Sequence, residues 1–137
     1  MDSTQPGGAP PPDQPFVLCA QPVSLIGEAL VRLLALEDLT VVQAIDGNEA
    51  WDAFNRDSSK IAAVFVAHEL PGGGLKLIRR IREAGFEGRI IAHGAVVPDD
   101  EIAAYRGLGV ESVVVTQSGP DELLGVVEAW CKGGLEG

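Results

Sequence analysis

Five short apolar runs recur along this chain, and each is followed by a longer segment with helical periodicity. Four of the five are apolar at nearly every position, as strands covered on both faces must be. Parallel strands need helix-length connections, so the alternation predicts an α/β fold in which a parallel sheet lies between two layers of helices. The predicted strands are residues 16–20, 40–44, 62–67, 89–93 and 112–115.

The connecting segments carry apolar stripes at the spacing of an amphipathic helix. One stripe, between the first two strands, contains Leu30 and Leu34. Asp46 and Glu49 have the spacing of a reciprocal capping box at the start of the second helix. Together these signals predict a doubly wound, flavodoxin-like (βα)5 domain of three α/β/α layers, with five parallel strands in the order 2-1-3-4-5.

The two ends of the chain differ in composition from its middle. Residues 1–15 hold five of the nine prolines and few apolar side chains, so we expect a flexible N-terminal segment. We predict one globular domain over residues 16–132, followed by a flexible C-terminus over residues 133–137.

Charge and composition exclude several classes of partner. Ten basic and twenty acidic residues give a net charge of -10, which repels nucleic acid phosphates and anionic lipid headgroups. No signal-peptide pattern is present, and no apolar run approaches the ~20 residues that span a bilayer. Only two cysteines occur, which fits a reducing compartment. We therefore expect a cytoplasmic protein that binds neither nucleic acid nor membrane directly.

Several ordered fragments of the chain resemble the receiver domain of bacterial response regulators. The resemblance spans about residues 16–131 and rests on the order and spacing of the fragments rather than on any one motif. It implies the same five-stranded fold and a role in two-component signalling. The fragments are Val17-Leu-Cys-Ala-Gln-Pro22, Ala44-Ile-Asp-Gly-Asn-Glu-Ala50, Glu69-Leu-Pro-Gly72 with Leu77-Ile-Arg-Arg-Ile-Arg82, and Gly109-Val-Glu-Ser112 with Pro120-Asp-Glu-Leu123.

The resemblance also implies where the phosphorylation chemistry of a receiver would be placed. An ordinary receiver has an acidic pair that holds Mg²⁺, an aspartate that accepts the phosphoryl group, a hydroxyl and a lysine. None of the corresponding residues here is a carboxylate or a lysine, which implies a degenerate, non-enzymatic pseudo-receiver. The corresponding positions are Cys19 and Ala20 for the acidic pair, Ala67 for the acceptor, Gly94 for the hydroxyl and Thr116 for the lysine.

Three polar residues follow neighbouring predicted strands: His68, Glu69 and His93. Two imidazoles and a carboxylate are chemically able to bind a transition metal, but their spacing is not a metal signature and polar residues are common where strands meet water. We predict neither a metal nor a cofactor. Glu69, two residues after the acceptor position, has two interpretations: a partial mimic of a phosphoryl charge, or a solvated loop residue.

The glycine run at residues 72–74 also leaves two interpretations open. Glycines permit positive φ, so their backbone N–H groups could form an anion-binding nest; a flexible surface turn is the other interpretation.

In receivers the fourth helix, fifth strand and fifth helix commonly form the surface for a partner or a second copy. The resemblance therefore implies a protein partner, such as a kinase or regulator, or self-association. A plain solvent-exposed face is the competing interpretation. The candidate contact residues are Tyr105, Arg106, Thr116, Val126 and Trp130.

We therefore expect a protein-interaction module that acts independently of phosphoryl transfer. The alternative is a small-ligand or cofactor-binding domain that uses the crevice at the carboxyl ends of the strands, where open α/β sheets place ligands. Against this alternative, the chain has neither a Gly-x-Gly-x-x-Gly motif after the first strand nor a phosphate-binding loop ending in Gly-Lys-Ser/Thr.

Overall fold

A computed structural model describes residues 4–6, 15–36, 39–117 and 121–133, with side chains for 15–36, 39–117 and 121–129. The strands are β1 (Thr4–Pro6), β2 (Phe16–Ala20), β3 (Thr40–Ala44), β4 (Ile61–Ala67), β5 (Arg89–Gly94) and β6 (Ser112–Val115). The helices are α1 (Leu25–Leu36), α2 (Gly47–Asp57), α3 (Gly74–Glu83), α4 (Asp99–Gly107) and α5 (Asp121–Gly133), and a short 3₁₀ turn covers Ser58–Lys60. Within the described ranges, no helix is long and apolar enough to cross a bilayer.

The strands form one parallel sheet in the order β1-β3-β2-β4-β5-β6. The five predicted strands are β2 to β6, and their order is the predicted 2-1-3-4-5. The flavodoxin-like fold is therefore confirmed. Strand β4 begins one residue earlier and β5 ends one residue later than predicted.

Strand β1 adds a sixth strand that the sequence pattern does not predict. Residues 4–6 lie in the segment expected to be flexible, but they pair with β3 from Thr4 opposite Val41 to Pro6 opposite Gln43. This pairing joins backbone groups and so requires no apolar pattern, and it covers a strand that would otherwise be the edge of the sheet. Residues 1–3, 7–14 and 134–137 lie outside the described part of the chain.

The two faces of the sheet bury separate apolar layers, because side chains alternate along each strand. Leu18 of β2 packs with Phe54 of α2 and Ile78 of α3 on one face. Its neighbour Val17 packs with Leu30 of α1, and with α5, on the other face. This explains the near-continuous apolar character of the strands and gives the predicted three layers.

The predicted capping box at the start of α2 is present in altered form. The Asp46 Oδ1 atom accepts a hydrogen bond from the Glu49 N–H at 2.8 Å, as predicted. The Glu49 carboxylate reaches back to the N–H of Ile45 rather than to that of Asp46, at 3.1 Å. The N-terminus of α2 is thus fixed at the carboxyl end of the sheet.

Arg82 fixes the opposite end of α3 through four hydrogen bonds to backbone carbonyls. Its guanidinium donates to the carbonyl oxygens of Phe86 and Gly88 at 2.9 Å, in the turn that leads into β5. It also donates to Leu108 at 2.7 Å and to Gly109 at 2.9 Å, in the turn after α4. Only the fork of an arginine presents this many donors from one side chain. The residue therefore holds the loops at the amino ends of β5 and β6 together.

Candidate functional site

The positions that resemble a receiver phosphorylation site lie at the carboxyl ends of neighbouring strands. Ala20 ends β2, Ala67 ends β4 and Gly94 ends β5, and these three strands are adjacent in the sheet. Thr116 follows β6, and its N–H donates to the Gly94 carbonyl at 2.7 Å. These four residues therefore lie at one end of the sheet, and their side chains are small or uncharged. We call these four residues, with Cys19, the strand-end positions.

Cys19 is a core residue rather than part of an open site. Its side chain packs beneath α1 and α5 and is fully buried. Burial raises the pKa of the Cys19 thiol, because a thiolate would lose its hydration there. The thiol therefore stays protonated, and a nucleophilic or metal-binding thiolate is disfavoured.

Small residues allow the loop after β4 to lie close to the strand ends. A Cβ atom on Gly74, the first residue of α3, would overlap the carbonyl oxygen of Ala67. Gly72 and Gly73 have φ near +96°, a conformation that favours glycine. The glycine run thus turns the chain sharply, so that α3 begins directly against the end of β4.

Glu69 connects the loops that follow β4 and β5. Its carboxylate accepts a hydrogen bond from the backbone N–H of Ala95 at 2.7 Å. A Cβ atom at position 94 would lie 2.9 Å from a Glu69 carboxylate oxygen and 2.8 Å from the Cβ of His68. The absence of a side chain at Gly94 therefore makes the space that the Glu69 carboxylate occupies.

His68 connects the same loop to α4. Its backbone N–H donates to the His93 carbonyl at 2.6 Å, which extends the pairing of β4 and β5. In its side chain, Nδ1 lies 2.7 Å from the Tyr105 hydroxyl and Nε2 lies 3.3 Å from the Glu101 carboxylate. With a proton on Nε2, the ring donates to Glu101 and accepts at Nδ1 from the Tyr105 hydroxyl, which satisfies both contacts.

Tyr105 is buried, with 0% of its surface exposed, which corrects its assignment to an exposed contact surface. Its ring packs in the apolar layer between the sheet and helices α2, α3 and α4, and it lies edge-on to the His68 ring. Burial, assisted by the charges of Glu101 and Glu69, raises the pKa of the Tyr105 hydroxyl to about 12. The hydroxyl remains protonated at neutral pH and is available as the donor to His68.

The other candidate contact residues divide between the surface and the interior. Thr116 is buried, which corrects its assignment to an exposed contact surface. Arg106 is exposed and Val126 is half-buried. The side chain of Trp130 lies outside the described residues.

His93 is separated from His68 by the alternation of side chains along β5. It follows Ala92 of the α2–α4 layer, so its side chain points to the face covered by α1 and α5. The ring is buried, and its Nε2 has no hydrogen-bond partner among the residues that the structure describes. Burial, opposed by the charge of Glu69, lowers the pKa of His93 to about 4, so the ring is neutral at pH 7.

The side chains of His68, Glu69 and His93 do not come together around one point. Across the part of the chain that the structure describes, no group of three or more histidine, cysteine, aspartate or glutamate side chains is placed to hold a metal ion. Glu69 and His68 are instead engaged by Ala95 and by α4.

Solved structures similar to this chain include receiver domains of response regulators. A chain of the CheX–CheY–BeF3–Mg²⁺ complex from Borrelia burgdorferi matches with a TM-score of 0.73 at 20% identity, over 85% of this chain and 89% of that chain. A CheY-like receiver domain protein from Methanospirillum hungatei JF-1 matches with a TM-score of 0.74 at 13% identity, over 88% of this chain and 96% of that chain. A DNA-binding response regulator of the LuxR family from Staphylococcus aureus matches with a TM-score of 0.71 at 18% identity, over 84% of this chain and 97% of that chain.

The chain therefore has the fold of CheY-like receiver domains. No protein-family model matches its sequence, and neither does any protein of curated function.

The buried neutral His93 predicts an acid-sensitive stability. The unfolded imidazole has a pKa near 6.5 and the folded one near 4, so protons bind preferentially to the unfolded chain between these values. The stability contribution is complete above about pH 6.5 and is lost as the pH falls towards 4. Between pH 7.5 and pH 5, His93 alone is expected to lower the free energy of unfolding by roughly 2 kcal/mol.

Urea unfolding of the wild type and of His93→Gln at pH 7.5 and pH 5 measures the contribution of His93 to this pH dependence. The difference between the two pH values is expected to be roughly 2 kcal/mol smaller in the variant. Comparing pH differences removes the contribution of other titrating groups and the pH-independent cost of the substitution. An equal pH dependence in the two proteins would contradict a buried, neutral His93.

Proposed function

We propose that this protein is a non-phosphorylatable receiver-like interaction module of bacterial two-component-type signalling, which acts in the cytoplasm independently of phosphoryl transfer. Glu69, whose carboxylate is bound to the Ala95 N–H at the strand ends, is the observation that carries the proposal. The chain would act by presenting a surface whose state is set by contacts within the protein and with its partner.

The residues at the strand-end positions support the absence of phosphoryl transfer. Ala67 has a methyl group where the resemblance requires an acceptor carboxylate, and a methyl group cannot attack phosphorus. Cys19 and Ala20 supply no oxygen ligands for Mg²⁺, which prefers carboxylates and water. Several independent parts of the chemistry are missing together, so restoring one of them would not restore the reaction.

The Glu69 contact supports a role for that residue in place of a phosphoryl group. In switches driven by phosphorylation, an added negative charge biases an element that has two conformations. Here a carboxylate supplies negative charge between the ends of β4 and β5 and is hydrogen-bonded to a backbone N–H. Because this charge is part of the side chain, the bias it exerts would be permanent.

A contiguous set of contacts links this charge to α4. Glu69 holds the loop before α4 through Ala95, and the adjacent His68 contacts Tyr105 and Glu101 of the helix itself. The position of α4 is therefore tied to the loop after β4 by three side-chain contacts. A partner that recognises α4 would meet a helix held by these contacts in the absence of phosphorylation.

The surface beside α4 supports a protein partner. Arg106 on α4 and Val115 on β6 are exposed, and Val126 on α5 is half-buried. The similar B. burgdorferi chain comes from a complex of CheX with CheY, and the similar S. aureus protein is named a DNA-binding response regulator. By analogy, we propose a kinase, a regulator or a second copy of the chain as the partner, with no direct contact to nucleic acid and no enzymatic activity.

The alternative function, a small-ligand or cofactor binder at the crevice of the strand ends, predicts a different set of contacts. It requires the crevice around Ala20, Ala67 and Gly94 to be open to a ligand. The Glu69 carboxylate lies beside Gly94, and the start of α3 lies against the Ala67 carbonyl. A protein partner therefore accounts better for this geometry.

The link between Glu69 and α4 predicts long-range effects of substitution. Glu69→Ala is expected to change the amide chemical shifts of Ala95 and of residues along α4 to Tyr105, because the loop before the helix loses its anchor. Glu69→Gln keeps an acceptor oxygen without the charge and is expected to give smaller changes in the same residues. Glu83→Ala, an exposed glutamate on α3, is the control and is expected to leave α4 unchanged.

These spectra show whether the Glu69 contact is coupled to α4 or affects only the loops that it joins. Changes confined to residues 68–70 and 95 in Glu69→Ala, with α4 unaffected, would contradict the proposed coupling. The loss of one exposed hydrogen bond to a charged group is expected to lower the free energy of unfolding by only about 1 kcal/mol. The variants should therefore remain folded, and their spectra should be comparable.

Affinity capture from the native host tests the proposed surface. Wild-type bait is expected to recover a histidine kinase, a response regulator or a transcription factor. Arg106→Glu bait is expected to recover at least about tenfold less, because one charge is reversed inside the contact surface. Arg32→Glu makes the same charge change on the exposed side of α1 and is expected to recover the wild-type amount.

Two outcomes of the capture would contradict the proposal. Equal recovery by all three baits would place the contact away from α4. Recovery of a copurifying small molecule without a signalling protein would favour the alternative function.

A further inference from the structure

A second cleft lies outside the strand-end positions, between the starts of α2 and α3. Its volume is about 290 Å³, and none of the five strand-end residues lines it. The walls come from the α2 N-terminus, the turn after β4 and the first two turns of α3. The lining residues are Asp46, Gly47, Asn48, Pro71, Gly72, Gly73, Lys76, Leu77 and Arg80.

The cleft is formed by the most basic element of an acidic protein. Helix α3 carries four of the chain's ten basic residues within ten positions and only one acidic residue, Glu83, although the net charge of the protein is -10. Two of these basic residues, Lys76 and Arg80, line the cleft. They are one helical turn apart, so both side chains lie on the same side of α3.

Neither cation is neutralised by a neighbouring carboxylate. In the residues whose side chains are described, no ion pair involves Lys76 or Arg80. The Arg80 guanidinium lies 4.0 Å from the centre of the Trp51 ring, which orients it without neutralising its charge. Asp46 is the one acidic residue of the lining, and its Oδ1 is engaged by the Glu49 N–H as the cap of α2.

The glycine turn and the N-cap residue of α3 form one end of the cleft. The N-cap residue of α3 is Gly73, and among the residues that the structure describes no side chain caps the first-turn N–H groups. The Pro71 carbonyl accepts from the Gly47 N–H at 2.8 Å, which fixes the glycine turn against α2 and keeps the cleft walls together. Two side-chain cations and the N-cap residue of α3 thus line one cavity.

We propose that this cleft binds the phosphoryl group of a small anionic ligand, with Lys76 and Arg80 as its cationic contacts. Two positive charges match the dianionic form of a phosphate monoester or of inorganic phosphate, and a guanidinium presents paired donors to phosphate oxygens. The volume accommodates a phosphoryl group with a small organic substituent. The proposal is independent of the phosphorylation-independent function, because it uses neither the strand-end positions nor the α4 surface.

Titration with inorganic phosphate, followed by amide chemical shifts at constant ionic strength, tests the site. The wild type is expected to show saturable shifts at Gly47, Asn48 and the amides of residues 72–76. Lys76→Gln and Arg80→Gln are each expected to weaken binding about tenfold, because each removes one charge-assisted contact. Arg79→Gln, which makes the same charge change on α3 outside the cleft, is expected to change the Kd less than twofold.

Each other outcome overturns the proposal. An equal loss in Arg79→Gln and Lys76→Gln would show that the helix attracts anions through its overall charge, without a site. Equal affinity for acetate would replace the phosphoryl assignment by a general anion preference. The absence of saturable shifts in residues 47–48 and 72–76 would exclude phosphoryl binding in the cleft.

The source of the phosphoryl group is distinguished by parallel titrations. Glucose 6-phosphate and O-phosphoserine are compared with inorganic phosphate under the same conditions. Tighter binding of one ester identifies the kind of substituent that the remaining volume accepts, and equal binding assigns free phosphate as the ligand. Arg80→Lys retains the charge without the paired donors and is expected to bind more weakly than the wild type but more tightly than Arg80→Gln.

Discussion

The hydrogen bond between the Glu69 carboxylate and the Ala95 N–H joins the two loops on which the proposed function depends. It requires Gly94, because a side chain at that position would overlap both the carboxylate and His68. With the loops joined, His68 reaches Tyr105 and Glu101. In the function that we propose, these contacts set the position of α4 without a reversible modification.

This arrangement explains why the strand-end residues are small. Parallel strands covered on both faces bring their loops together at one edge, where each added atom competes for space. The missing side chain of Gly74 permits α3 to begin directly against the Ala67 carbonyl at the end of β4. The glycine at position 94 thus has a packing consequence: the loops after β4 and β5 approach closely around the Glu69 carboxylate.

The fold was predictable because its signals are local. Apolar runs specify strands and amphipathic stripes specify helices. The helix-length connections between successive strands indicate that the strands are parallel. Strand β1 was not predictable, because residues 4–6 pair through the backbone and carry no apolar pattern. Tyr105 lies on a weakly patterned helix, so nothing in its spacing indicates that the ring is buried against His68. The cleft between the starts of α2 and α3 is lined by residues that are distant in sequence, and only the tertiary structure brings them together.

Beryllofluoride with Mg²⁺ provides the most direct measurement of whether the phosphoryl switch has been replaced, because this complex mimics a phosphorylated aspartate only where a carboxylate and the metal ligands are present. We predict no change in the amide spectrum around Ala67 and Ala95, beyond that caused by Mg²⁺ alone. Stoichiometric binding, with shifts that extend from Ala67 through Ala95 to α4, would contradict the account.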